Sequence, residues 1–183
     1  MTAQLNNLAA TQQVTVLETQ RLSLRQLTSD DAQFLLELLN EPSFITNIGD
    51  RGVRTVSDAS KYALDGPIAS YARNGFGLYL VELKETGKPI GICGLVKRDA
   101  LADADIGFAF LPAFWSQGYA YESALMVKAY ALNVLKLKRV LAITNPNNAG
   151  SIRVLEKIGL QYKQMVRMSA DAPEIRLYSS DVE

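Results

Sequence analysis

Histidine is absent from the 183 residues, which excludes the serine and cysteine nucleophiles that rely on an imidazole base, and the usual zinc sites with them. Cysteine occurs once, as Cys93 within the apolar run Ile90–Val96. That rules out an internal disulfide, suits a reducing compartment and reads as a small buried apolar residue. Excess charge is also missing: 19 basic residues balance 19 acidic ones, so no global field draws the chain onto nucleic acid or an anionic membrane. No apolar stretch approaches the roughly 20 residues of a membrane-spanning helix. Met1–Thr15, rich in Asn, Gln, Thr and Ala, has neither the basic start nor the apolar core of a secretion signal. These absences predict a soluble cytoplasmic protein, with a loose arm over 1–15 and one globular domain over 16–183. Its chemistry must proceed without imidazole, and no carboxylates stand at metal-loop spacing, so no metal is expected.

What is present is apolar periodicity. Arg21–Leu27 alternates as a strand, and Thr28, with Asp31 three residues on, caps a helix carrying Phe34, Leu35, Leu38 and Leu39 that closes before Pro42. Phe44–Thr55 reads as a loop and Ser57–Arg73 as one helix ending at Asn74-Gly75. Phe76–Leu83 and Pro89–Val96, joined by Glu85-Thr86-Gly87-Lys88, form a β-hairpin. Asp105–Leu111 is a strand stopped by Pro112, and Gly118–Leu135 a long helix. Then come a strand at Arg139–Thr144, a helix at Ala149–Ile158 and closing strands at Gln161–Met168 and Glu174–Ser179. The order β-α-α-β-β-β-α-β-α-β-β, without repeats or an internal linker, is that of one mixed α/β (α+β) domain.

The stretch from Asp105 to Ala120 carries the chemistry, being a strand that enters a tight turn and then a helix. Backbone N–H groups at a helix start have no partner within the helix, and the dipole adds partial positive charge, so the turn is an anion site. Gly118 lets a phosphate approach the main chain and the small Ala120 clears the next turn. Ser116, Gln117, Gly118, Tyr119 and Ala120 could therefore hold a pyrophosphate through N–H groups alone. Neither a Walker loop nor the three-glycine dinucleotide pattern is present. A plain structural turn fits a single such glycine as well.

Leu17–Arg25 resembles the opening strand of the RimJ/RimL-type ribosomal-protein N-terminal acetyltransferases, a branch of the Gcn5-related (GNAT) superfamily. Asp105-Ile106-Gly107-Phe108 followed by Trp115–Ala124 resembles that branch's acetyl-CoA motif, and Asn145–Leu160 its closing motif. In order and spacing, the blocks cover the chain from about Leu17 to Tyr178. One departure is Trp115, where the wider superfamily has Gln or Arg; a loop that binds through its main chain should tolerate it.

The resemblance implies a mostly antiparallel twisted sheet with a central V-shaped splay between Asp105–Leu111 and Arg139–Thr144, and helices on both faces. Pantetheine would lie in the splay, bonded to the main chain at Phe110 and Leu111, with acetyl-CoA as co-substrate. Ser151 matches the serine of the family's Asn-x-x-Ser motif, here Asn148 to Ser151, and would assist the departing thiolate; an ordinary serine at the third position of a helix fits as well. Asn148 would cap that helix and touch the cofactor. Asp105 is the leading candidate for general base, with Asp103, Asp171 and Glu174 as competitors and an ion-paired structural carboxylate as the other reading. Trp115 and Tyr119 either flank the cofactor or pack, Glu122 anchors the loop, and Arg51 and Arg54 either edge the acceptor site or are solvated. The implied acceptor is a protein N-terminal α-amine, for instance of a ribosomal protein. A small amine (polyamine, amino acid or antibiotic) and a non-catalytic acyl-CoA sensor are the alternatives. Monomer and homodimer are equally compatible with the sequence.

Overall fold

Alternating side chains decide which face of each strand is buried against which helices. In the computed structural model, which describes residues 13–181, eight strands form one sheet in the order β1-β2-β3-β4-β5-β6-β8-β7. The strands are β1 (Thr15–Glu18), β2 (Leu22–Gln26), β3 (Leu78–Leu83), β4 (Pro89–Val96), β5 (Asp105–Phe110), β6 (Leu141–Thr144), β7 (Gln161–Val166) and β8 (Ile175–Ser179). Every neighbouring pair is antiparallel except β5 and β6.

On one face Tyr79, Val81, Cys93, Leu95 and Ile106 pack under α5 (Tyr119–Asn133) and α6 (Ala149–Lys157), which contribute Ala124, Val127, Ala131 and Leu155. On the other, Leu80, Ile92 and Leu111 meet α1 (Ala32–Asn40), α2 (Pro42–Asn47) and α3 (Val56–Ala63) through Leu35, Leu38, Leu39, Phe44 and Ala59. Each fully buried leucine contributes roughly 1.5–3 kcal/mol. The expected mixed sheet, with a central splay and helices on both faces, is borne out.

Local differences have local causes. Thr15–Glu18 forms an extra first strand by pairing with β2, so the expected arm reaches into the sheet at Thr15; its residues 1–12 lie outside the described residues. Pro42 ends α1 and also begins α2, because a proline at the first helical position loses no bond there. The segment read as loop from Phe44 thus begins as helix. The helix read as continuous over Ser57–Arg73 is α3, a π-helical turn (Leu64–Ile68) and α4 (Ala69–Asn74). Pro67 inside that turn lacks the N–H an α-helix would use. Around Thr28 the Asp31 carboxylate accepts the Thr28 N–H at 2.8 Å, as expected of the cap, but it also pairs with Arg25 at 2.8 Å in the protein interior.

Candidate active site

The parallel pair β5 and β6 is joined at one position, Asp105 opposite Leu141. Beyond it the strands separate, and the gap opens towards Phe110 and Thr144. Each strand then leads into a helix, α5 after β5 and α6 after β6, so both helices follow the strand ends towards which the gap opens. Two helix N-termini therefore follow the open ends of the splayed strands, and each favours negative charge.

Register decides which main-chain groups line that gap. Leu111 donates its N–H to the Ile90 carbonyl at 3.0 Å and so faces β4. By alternation the main-chain groups of Ile106, Phe108 and Phe110 face the β6 side. The Phe110 carbonyl takes the Trp115 indole N–H at 2.7 Å. Of the two residues expected to bond pantetheine, Phe110 thus offers its N–H to the gap, whereas the Leu111 N–H is spent within the sheet.

The turn before α5 is exposed from Trp115 to Gly118. Ser116 and Gly118 hold positive φ angles of 59° and 84°, and Gly118, the cap of α5, supplies no side-chain cap bond. The helix ladder starts with the Glu122 N–H on the Gly118 carbonyl at 2.9 Å. The ladder thus leaves the N–H groups of Tyr119 to Tyr121 without a partner in α5, as a main-chain phosphate cradle requires. Tyr119 and Ala120 begin the helix, and Phe114 and Tyr119 pack at 6.4 Å between ring centroids.

A clamp holds this turn from behind. Glu122 accepts from the Thr19 hydroxyl at 2.6 Å, the Arg21 N–H at 2.9 Å and Arg21 Nε at 2.7 Å, so it anchors the loop as expected. Arg21 also donates to the Gln117 carbonyl at 3.0 Å and lies 4.4 Å from the Tyr119 ring centroid. Partial burial pushes the Glu122 carboxyl up, but the bonds from Thr19 and Arg21 outweigh it and hold the group below its ordinary range. Arg21 had no role in the sequence reading; roughly a hundred intervening residues hide such a pair from any local pattern.

At the start of α6, Asn148 Oδ1 caps the helix by accepting the Ser151 N–H at 3.1 Å. Ser151 is half-buried, and its hydroxyl makes no hydrogen bond to the described residues. Asp105 lies at the joined end of the gap, 1% exposed, with Arg98 Nε 2.9 Å from Oδ1. Burial pushes its carboxyl above the ordinary value, against the opposing charge of Arg98. Asp103 is paired with Arg139, Glu174 stands 3.6 Å from Arg167, and Asp171 is exposed between β7 and β8. Arg54 is tied to Asp50, while Arg51 is exposed. An open groove of about 720 Å³ on the α1 face runs past Phe34, Glu37, Glu41, Leu111 and Phe114. Among the described residues no group of three or more His, Cys, Asp or Glu is placed to hold a metal, and no helix is long and apolar enough to cross a membrane.

Comparison with known proteins agrees with this geometry. Residues 21–161 match the acetyltransferase (GNAT) domain family. The chain is 31% identical over 156 residues to the uncharacterised protein YkkB of Bacillus subtilis (strain 168), covering 84% of this chain and 89% of that one. It is 28% identical to the uncharacterised N-acetyltransferase YoaA of the same organism, with 83% and 86% covered. Among solved structures, RimL, a ribosomal L7/L12 alpha-N-protein acetyltransferase in complex with coenzyme A, superposes with a TM-score of 0.78 at 15% identity over 91% of this chain and 99% of that one. A strand that leads into a turn without a side-chain cap, beside a splayed gap, on a chain matched by this family over most of its length, leads to one conclusion: the chain belongs to the GNAT acetyltransferase family and is an acetyl-CoA-dependent N-acyltransferase.

Proposed function

We propose that the chain acetylates a primary amine, foremost a protein N-terminal α-amine such as that of a ribosomal protein. The observation that carries the site is the pair of helix N-termini, α5 and α6, at the open end of the β5–β6 gap. The acceptor reading draws support from the likeness in fold to RimL, whose stated substrate is a ribosomal protein α-amine.

When bound, acetyl-CoA supplies the acetyl group as a thioester. In this reading the N–H groups of Ser116, Gln117, Gly118, Tyr119 and Ala120 receive the pyrophosphate, Asn148 borders the cofactor, and the Phe110 N–H bonds the pantetheine arm. As the amine nitrogen forms the new C–N bond and the C–S bond breaks, one proton leaves nitrogen and sulfur takes one up. The Ser151 hydroxyl, otherwise unengaged, is assigned to donate to the departing sulfur. Asp105 is assigned as acceptor of the amine proton; its raised carboxyl is nearer the range a base needs. Since Asp105 stands at the joined end of the gap and α6 starts at the open end, this transfer runs through water. The Arg98 pair offers the other role for Asp105, a structural counter-ion.

Acetyl-CoA turnover with purified protein, measured on peptides with free N-termini, on the same peptides with blocked N-termini and on a panel of small amines, tests the reading. Turnover confined to free-N-terminus peptides is the expected result. Turnover confined to polyamines, amino acids or antibiotics would replace the acceptor, and binding without turnover on any amine would mark a sensor. A folded Asp105→Asn variant with wild-type kcat would return Asp105 to the counter-ion role.

A further inference from the structure

Glu122 presents an electrostatic problem. It is a carboxylate in the first turn of α5, the helix whose amino end has to receive a doubly charged group if Ser116–Ala120 holds the pyrophosphate. Left bare, that charge would offset the partial positive charge of the helix start and repel the anion. Two donors other than a cation, the Thr19 hydroxyl and the Arg21 main-chain N–H, pin Glu122 Oε1 beside the loop, so the carboxylate cannot swing away. The Gln117 carbonyl adds a second negative end inside the same turn.

One guanidinium meets both. Arg21 Nε and Nη2 each lie 2.7 Å from Glu122 Oε2, and Nη1 donates to the Gln117 carbonyl at 3.0 Å. The group stacks 4.4 Å from the Tyr119 ring centroid, and Nη2 comes within 3.3 Å of where a Cβ on Gly118 would stand. We infer that Arg21 is a positioning residue for the phosphate loop: it neutralises Glu122 and turns the Gln117 carbonyl inward, leaving the loop's N–H groups to face an anion with no opposing charge. This rests on the reading of Ser116–Ala120 as the pyrophosphate site. It differs from a direct cation contact to the phosphate, because the guanidinium is already occupied by a carboxylate and a carbonyl of the protein itself.

A double-mutant cycle separates the possibilities. Binding of CoA by calorimetry, and acetyl-CoA kinetics, are measured for the wild type, Arg21→Gln, Glu122→Gln and the double variant, beside thermal melts. Arg21→Gln leaves the carboxylate pinned and bare, so CoA affinity should fall about tenfold or more, with KM for acetyl-CoA rising and kcat unmoved. Adding Glu122→Gln removes the stranded charge and should bring affinity back to within about threefold of wild type. Transfer from S-acetylpantetheine, which lacks the pyrophosphate, should be the same in all four. Arg21→Lys, which keeps the charge and is less disruptive to folding, should bind CoA better than Arg21→Gln; if Arg21→Gln fails to fold, Arg21→Lys must bind within about threefold of wild type. A double variant no better than Arg21→Gln, or an Arg21→Lys that has lost CoA while folded, overturns the inference. Gly118→Val distinguishes the underlying reading: if it loses CoA while Arg21→Gln does not, the loop stands and the role of Arg21 falls. If Gly118→Val itself binds normally, the pyrophosphate site is elsewhere.

Discussion

Ser116 and Gly118 both adopt the left-handed backbone region, yet only Gly118 does so without a Cβ. A β-branched residue at φ 84° is strained, and its Cβ would also crowd the Arg21 guanidinium at 3.3 Å. Gly118→Val is therefore expected to abolish CoA binding by calorimetry while far-UV circular dichroism stays native. Ser151 poses a different question, because its main-chain N–H is already satisfied by Asn148 and only its hydroxyl is uncommitted. If that hydroxyl serves the leaving sulfur, Ser151→Ala should lower kcat on the order of 10², with acetyl-CoA affinity nearly unchanged. A serine that merely fills the helix would lower stability by about 1 kcal/mol or less and spare turnover. Steady-state kinetics beside melts tell these apart, and a folded variant with wild-type kcat removes Ser151 from the chemistry. Glycine and serine at these positions could be found from sequence because both belong to contiguous motifs. Arg21 could not, since its partner Glu122 comes from a distant element, and the resemblance over Leu17–Arg25 marks an opening strand without giving the Arg21 side chain a role.

At the scale of the element, the sheet beneath the gap depends on close backbone approach. A Cβ on Gly94 would come within 2.1 Å of the Gly77 carbonyl oxygen and 2.8 Å of the Leu78 Cα, and main-chain atoms in a paired strand have nowhere to go. Gly107, opposite Gly94 in β5, would meet only the ends of Leu78 and Val96 at 3.6 Å, an ordinary contact. Gly94→Ala is accordingly expected to cost about 3 kcal/mol or more and Gly107→Ala less than about 1 kcal/mol, as measured by chemical denaturation of the two variants. Equal losses would contradict the β3–β4 register. The hairpin containing Gly94 was legible in the alternation of its two runs and the linker between them, because a hairpin is a local object. The π-helical turn at Leu64–Ile68 was not: the surrounding pattern is helical, and only the tertiary burial of Ala63 in the core beside Leu80 and Ile92, and of Pro67, decides whether the chain bends, widens or stops there.

Across the whole molecule, a buried ion pair ties the first helical layer to the sheet. Arg25 of β2 holds Asp31 at 2.8 Å and Glu82 of β3 at 2.9 Å. Burial pushes the Asp31 carboxyl up, but its bonds from Arg25 and Thr28 prevail and hold it below the ordinary carboxylate range. A carboxylate depressed in the folded state stabilises the fold above its unfolded pKa of about 3.9 and loses that contribution as pH falls through the folded value. Asp31→Asn should thus destabilise by about 3 kcal/mol at neutral pH, and the difference in stability between variant and wild type should shrink as the pH is lowered below about 4. A difference that stays constant down to pH 2 would show that the pair does not set the acid limb.

The sequence by itself determined the outline: one mixed α/β domain, its hairpin, its long helix after Gly118 and the family motifs at 105–124 and 145–160, because each is carried by periodicity or by contiguous residues. It also determined what the chemistry must do without, since no fold can supply a histidine that the chain lacks. Only the tertiary structure decided that β5 and β6 meet at a single pair and open a gap, that Leu111 turns its N–H to β4 while Trp115 takes the Phe110 carbonyl, and that Arg21 neutralises Glu122 behind the loop. These depend on pairing, register and charge brought together from distant parts of the chain, and local sequence constrains none of the three.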